Sequence, residues 1–183
     1  MAMDKITREF QVFVKPVGAR CNLSCSYCYY LDKIELYDQG SPLRMSDYIL
    51  SEYIRQHIKA TTDDTVFFSW HGGEPLLAGL DFYRKAVAYQ KKYLPAGKKL
   101  LNGIQTNGTL INEDWCSFFI DEGFIAGVSI DGPEPFHNRF RKAGNTGVFD
   151  SVIAGYSMLR RHGIPSEILC VVNAENMEHP NRL

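Results

Sequence analysis

Apolar and polar positions alternate in short runs that are separated by longer stretches of helical period, a pattern that predicts strands and helices in turn. Residues 10–16, Phe-Gln-Val-Phe-Val-Lys-Pro, alternate and read as a first strand. A helix is expected from about Ser46, a suitable N-cap, with Ile49, Tyr53, Ile54 and Ile58 on one face. Thr65–Trp70 reads as a second strand, and residues 80–94 as a second helix stopped by Pro95. Lys99–Thr106 reads as a third strand that ends in the turn signal Asn107-Gly108. A third helix is expected after Asn112, laying Trp115, Phe118 and Phe119 toward the sheet, and residues 127–130 form a short fourth strand. A fourth helix over about 148–161 ends in His162-Gly163-Ile164-Pro165, a glycine stop with proline beyond it, and 168–172 is the fifth strand.

Strands alternating with helices argue for an α/β domain in which helices cover a parallel sheet. Without a repeat of fixed period, a low-complexity segment or a linker, the 183 residues read as one domain, and an incomplete barrel fits the order of elements. Chemistry in such barrels sits at the C-terminal ends of the strands. Cys21, Cys25 and Cys28 follow strand one, Gly72-Gly73-Glu74 strand two, and Asn107-Gly108 strand three, while Ser129-Ile130-Asp131-Gly132 ends strand four. Four unusual segments are therefore expected on one rim.

Charge narrows the function classes. Lys and Arg number 20 against 21 Asp and Glu, a formal net charge of -1, which removes the argument for a nucleic-acid platform or an anionic membrane surface. No apolar run approaches the roughly 20 residues that span a bilayer, and residues 1–9 are charged where a secretory signal would be apolar. The expected location is cytoplasmic. In that compartment 5 cysteines do not suggest a disulfide framework.

Three of those cysteines form C-x3-C-x2-C in one loop, Cys21, Cys25 and Cys28. Three thiolates so placed can hold three irons of a [4Fe–4S] cluster and leave the fourth iron open. A structural zinc site would want a further ligand pair, and an electron-transfer ferredoxin a fourth cysteine. Cys116 and Cys170 could supply the latter, but each sits in an apolar stretch and reads as a small core residue.

The segment Cys21-Asn22-Leu23-Ser24-Cys25-Ser26-Tyr27-Cys28, with an aromatic before its last cysteine, together with Gly72-Gly73-Glu74-Pro75 resembles the radical S-adenosylmethionine (SAM) enzymes. Val14-Lys15-Pro16, Cys28-Tyr29-Tyr30-Leu31, Thr106-Asn107-Gly108-Thr109-Leu110 and Ser129-Ile130-Asp131-Gly132-Pro133 with His137, Asn138 and Arg141 resemble the anaerobic sulfatase-maturing enzymes within that superfamily. The resemblance implies a partial (β/α)6 barrel, a [4Fe–4S] cluster and SAM as cofactors. It also implies a reaction in which an electron from the cluster cleaves SAM, and the 5′-deoxyadenosyl radical takes hydrogen from a sulfatase Cys or Ser that becomes Cα-formylglycine. The implied partners are a sulfatase peptide or unfolded sulfatase and a reducing electron donor such as a flavodoxin or ferredoxin. Another radical SAM peptide modifier, or a non-catalytic Fe–S or zinc module, is the competing reading.

By the same resemblance Tyr27 lies against the adenine, Gly72, Gly73 and Glu74 meet the methionine amino group, Ser129 meets the ribose, and Arg141 pairs with the SAM carboxylate. Each has a structural alternative. Tyr27 can be an ordinary core aromatic, the glycines a tight turn, Ser129 a buried serine bonded to backbone, and Arg141 a solvated arginine beside Arg139 and Lys142. Asn107 either faces the pocket or only makes the Asn-Gly turn. Asp131 and His137 are ambiguous, His71 reads as a hydrogen bonder beside the site, and Trp70 and Trp115 as core. A six-unit barrel needs another strand and helix after the fifth strand. The chain is therefore expected to be the core portion, residues 1–183, of a larger maturase whose auxiliary-cluster region and catalytic base lie beyond Leu183, and to be poorly active alone.

Overall fold

The computed structural model describes residues 10–37 and 43–183. Residues 1–9, on which the absence of a signal was argued, lie outside them. Five strands form one parallel sheet: β1 (Phe13–Val14), β2 (Thr65–Trp70), β3 (Lys99–Thr106), β4 (Phe124–Ser129) and, after a small hairpin of β5 (Lys142–Ala143) and β6 (Thr146–Gly147), β7 (Ser166–Leu169). The spatial order β1-β2-β3-β4-β7 follows the chain without reversal. A doubly wound sheet would reverse at a switch point; a sheet that keeps adding strands in one direction can curl toward a barrel. Four helices make the crossovers: α1 (Asp47–Ala60), α2 (Leu80–Tyr93), α3 (Glu113–Glu122) and, following the short α4 (Glu134–Phe140), α5 (Phe149–Arg161). Contacts run from α1 to α2, α2 to α3 and α3 to α5, so these helices form a single outer layer.

The sequence explains the elements locally. Ser46 Oγ accepts the Ile49 N–H and Asn112 Oδ1 the Trp115 N–H, so both expected N-caps form. Between helices and sheet lies one apolar core in which Trp70, Phe82, Tyr83, Phe119 and Phe124 are fully buried and Trp115 nearly so. Burying the Trp70 indole N–H without a partner would cost free energy. It donates to Asn102 Oδ1 at 2.9 Å, and Asn102 is locked in turn to the buried Gln90.

Alternation along the strands decides what faces the other way. In β3 and β4, Asn102, Ile104, Thr106, Phe124, Ala126 and Val128 point into the core, while Gly103, Gln105, Gly127 and Ser129 take the opposite, inner face. Toward the C-terminal strand ends that face carries the small and polar Gln105, Gly127 and Ser129, while the Phe67 ring lies against Gly103 nearer the other end.

Several boundaries differ from expectation. Only Phe13 and Val14 of 10–16 pair, because tight turns closed by Gly18 N–H on Lys15 O and Arg20 N–H on Val17 O follow at once. β4 starts three residues earlier than 127, its pairing running through Gly127. β7 is shifted from 168–172 to Ser166–Leu169, because beyond it the Val171 N–H turns in to Asp131. On α1, Leu50, Ile54, His57 and Ile58 are buried and Ile49 is half exposed, so the apolar face is rotated by one residue from the expected one. The helix α4 and the hairpin β5–β6 were not expected. The two-residue Gly144-Asn145 connection was the available hairpin signal.

Candidate functional site

The C-terminal ends of the strands open into a cavity of about 420 Å³ lined by Cys21, Cys25, Cys28, Tyr27, Gly72, Gly73, Gln105, Asn107, Ser129 and Arg141, among others. Its volume lies within the range of small-molecule sites. The sequence-predicted rim therefore exists, and the three clustered cysteines reach it together. Cys116 is buried in α3 as expected. Cys170 is half-buried just past β7 rather than in the core, and neither of these two lines the cavity.

The cysteine loop is held by backbone on both sides. Gly73 N–H donates to Gly18 O at 2.9 Å and Glu74 N–H to Arg20 O at 2.8 Å; on the opposite side Ser24 N–H and Ser26 N–H donate to Lys142 O and Phe140 O. The glycine pair is needed for this approach. Gly72 has φ +117°, and a Cβ on Gly73 would lie 2.1 Å from Arg20 O. The close neighbour of the glycines is thus the chain segment leading into Cys21, while their other side borders the cavity.

Glu74 differs from its expected place. It is fully buried and absent from the cavity lining. Its Oε1 accepts from Leu76 N–H at 3.0 Å and Thr106 Oγ1–H at 2.8 Å, and its Oε2 from Asn107 N–H at 2.8 Å. Burial pushes its carboxyl up to about 7 against the pull of those donors. It acts as a strut that ties the end of β2 to the end of β3.

Arg141 is buried, whereas Arg139 pairs with Glu175 on the surface. Arg141 Nε and Nη2 form a fork on Asp131 at 2.7 and 3.2 Å, a pairing that leaves Nη1 uncommitted. Asp131 also accepts from the Tyr27 hydroxyl and from Val171 N–H at 3.0 Å. Burial would raise the Asp131 carboxyl, but these donors outweigh it and hold it below the ordinary value. The guanidinium lies 5.4 Å from the Tyr27 ring centroid. Tyr27 therefore borders the cavity with its hydroxyl already engaged. His137 Nδ1 accepts from Asp131 N–H, and burial, then the nearby Arg141, lowers its imidazole to about 4. His71 lines the cavity with its ring edge-on to Phe13; burial, then Lys15, lowers its pKa.

Gln105 is the site residue that sequence reading passed over. It sits on the inner face of β3, donates to Ser129 Oγ at 3.2 Å, and occupies the space where a Cβ on Gly127 would stand. A polar residue two positions from Gly103 on one strand face was the signal. Ser129 is thereby placed at the cavity with a side-chain partner rather than a backbone one.

A family model described as the Radical SAM superfamily matches residues 16–183. The chain belongs to the radical SAM superfamily. It is 47% identical over 175 residues to the serine-type anaerobic sulfatase-maturating enzyme of Bacteroides thetaiotaomicron, covering 94% of this chain and 42% of that protein. To the cysteine-type enzyme of Clostridium perfringens it is 33% identical over 173 residues, covering 94% and 46%. A solved structure of native anSMEcpe with bound AdoMet and Kp18Cys peptide superposes with a TM-score of 0.84 at 33% identity, over 93% of this chain and 46% of that one. The chain spans less than half the length of these relatives. The singly wound sheet accordingly corresponds to five strands of the partial (β/α)6 barrel expected of a radical SAM protein.

The donor set fits the superfamily's iron–sulfur cluster. Among the described residues no three His, Cys, Asp or Glu side chains converge on a point suited to a single metal ion. The three cysteines instead line one cavity, as suits a cluster in which each thiolate binds its own iron. Burial pushes the Cys21 thiol up to about 11 and raises Cys25 as well. Such thiols are poor nucleophiles at neutral pH, and a bound metal would deprotonate them.

Proposed function

We propose that this radical SAM chain is the core portion, residues 1–183, of an anaerobic sulfatase-maturing enzyme, with Cys21, Cys25 and Cys28 holding a [4Fe–4S] cluster and SAM occupying the rest of the cavity. Bound together, these cofactors supply a 5′-deoxyadenosyl radical that removes hydrogen from the substrate. The carrying observation is the meeting of three thiols, Gly72, Gly73, Asn107, Ser129 and Arg141 on one cavity at the strand ends. The chain's own contribution is to bind and to orient. Arg141 presents positive charge toward a carboxylate, and its fork on Asp131 fixes where that charge lies. Ser129, held by Gln105, offers a hydroxyl to the ribose, and the Tyr27 ring gives an apolar wall for the adenine. Glu74 positions the glycine pair and Asn107 from behind.

The substrate is a sulfatase peptide or unfolded sulfatase, and the electron comes from a reducing donor such as a flavodoxin or ferredoxin in the cytoplasm, with no nucleic acid or membrane involved. Higher identity to the serine-type enzymes, 47% and 40%, than to the cysteine-type enzymes at 33% favours serine as the residue oxidised to Cα-formylglycine. The test begins with anaerobic reconstitution, which should give about four irons per chain and a spectrum that SAM perturbs. The protein extended to its relatives' length, with reductant, SAM and matched peptides, should then yield 5′-deoxyadenosine and formylglycine faster from Ser than from Cys. A colourless protein carrying one zinc would overturn the cluster, and SAM cleavage without peptide oxidation would overturn the substrate.

A further inference from the structure

Asn107 has a side chain whose orientation is fixed from both ends. Its Oδ1 accepts from the Thr109 N–H at 3.0 Å and the Thr109 Oγ1–H at 2.7 Å. A backbone N–H can only donate, so the amide oxygen must be at that end and the NH2 group at the other. Nδ2 then donates to Asn22 Oδ1 at 2.9 Å and lies 3.7 Å from Cys21 Sγ. Two hydrogens serve the two acceptors. Asn22 Nδ2 closes the ring on Thr109 Oγ1 at 2.9 Å, and the Asn107 backbone N–H is anchored on the buried Glu74. Cys21 Sγ also receives the Leu23 N–H at 3.4 Å, so two N–H donors converge on one thiol.

Reduction of an iron–sulfur cluster spreads added negative charge onto its sulfurs, and a donor aimed at a ligating sulfur stabilises the reduced state more than the oxidised one. We infer that Asn107 is a redox-tuning residue: its side-chain N–H donates to the Cys21 thiolate and raises the reduction potential of the cluster. This rests on the cluster reading above, and goes beyond it by assigning to the Asn-Gly turn a control over how readily the cluster accepts its electron. Thr109 and Glu74 are then positioning residues that keep the amide turned toward sulfur.

The experiment uses the anaerobically reconstituted protein without SAM, so that a lost SAM contact cannot mimic the effect. Iron content is measured, and the cluster is titrated with an external reductant at controlled potentials while its reduced-state EPR signal is followed. Asn107→Leu removes the donor, and Asn107→Asp also places negative charge beside the sulfur while retaining an acceptor for Thr109. With full iron content, both should show a ratio of reduced to oxidised cluster about tenfold lower at fixed potential, equivalent to about 59 mV for a one-electron couple. Asn107→Asp should show the larger change. Thr109→Val, which keeps the backbone donor but loosens the amide, should shift the ratio in the same direction by less. Iron-replete Asn107 variants with the parent's potential overturn the inference and leave the cluster reading standing. Should neither Asn107 variant hold iron, a parental potential in Thr109→Val overturns it. A parent that takes up no cluster overturns both.

Discussion

Replacing Glu74 by Gln should change how the stability of this protein depends on pH. Glu74 is a fully buried carboxyl pushed up to about 7, and His137 a fully buried imidazole lowered to about 4. Their effects run in opposite directions. For Glu74 the folded state keeps its proton longer than the unfolded chain, so the associated stability is present below the unfolded value near 4.5 and is lost as pH rises through about 7. For His137 the unfolded chain takes up the proton first, so stability is present above the unfolded value near 6.5 and is lost as pH falls toward about 4. Between about pH 5 and about pH 8, Glu74 removes about 2–3 kcal/mol and His137 adds about 2 kcal/mol, so the two oppose each other.

Glu74→Gln removes the first contribution and leaves the second. Relative to the parent, the variant should gain about 2–3 kcal/mol of stability between about pH 5 and about pH 8. Gln offers one oxygen where the carboxylate accepts from three donors, so a backbone N–H of Leu76 or Asn107 then faces an NH2 group. That costs about 1–3 kcal/mol at every pH and moves the curve without tilting it. Urea unfolding of both proteins at the two pH values, under reductant and in the same metal state, reads the difference directly. Parallel curves for parent and variant would refute the assignment of a raised carboxyl at Glu74.

Gly73→Ala should displace the cysteine loop, because the added Cβ would meet Arg20 O at 2.1 Å; iron uptake should fall severalfold while cooperative unfolding persists. Asp131→Asn leaves the Arg141 guanidinium buried without its counter-charge and should cost about 3–5 kcal/mol by chemical denaturation. Tyr27→Phe removes one of several donors to Asp131 and should cost only about 1 kcal/mol in the same assay.

The strand–helix order, the N-caps Ser46 and Asn112, the core tryptophans and the three cluster cysteines were legible because each depends on local spacing. What escaped was set by contacts distant in sequence. Glu74 reads as a ligand-facing acid next to two glycines, and only the placement of Thr106 and Asn107 across from it turns its carboxylate inward. Arg141 is singled out by resemblance alone, since spacing does not separate it from Arg139 and Lys142; the fork on Asp131 is what sets it apart physically. The end of β7 was misplaced for a similar reason: Val171 and Val172 have strand propensity, but Val171 gives its N–H to Asp131 instead of to a ladder. Gln105 escaped because the strand bounds alone do not say which of its residues face the cavity; Ser129 and Gly127 on the neighbouring strand show it.

The cysteine loop is stapled along both margins, to residues 73 and 74 on one side and to 140 and 142 on the other. Segments that bear metal-binding thiols are commonly pictured as the soft, late-ordering part of a protein. Here the amides of Ser24, Ser26, Gly73 and Glu74 join main chain to main chain across those margins, so their exchange with solvent reports how long the loop stays docked on its neighbours. The spacing of the three thiols is thus tied to two separate parts of the fold, the segment after β2 and the junction of α4 with β5, rather than to the loop alone.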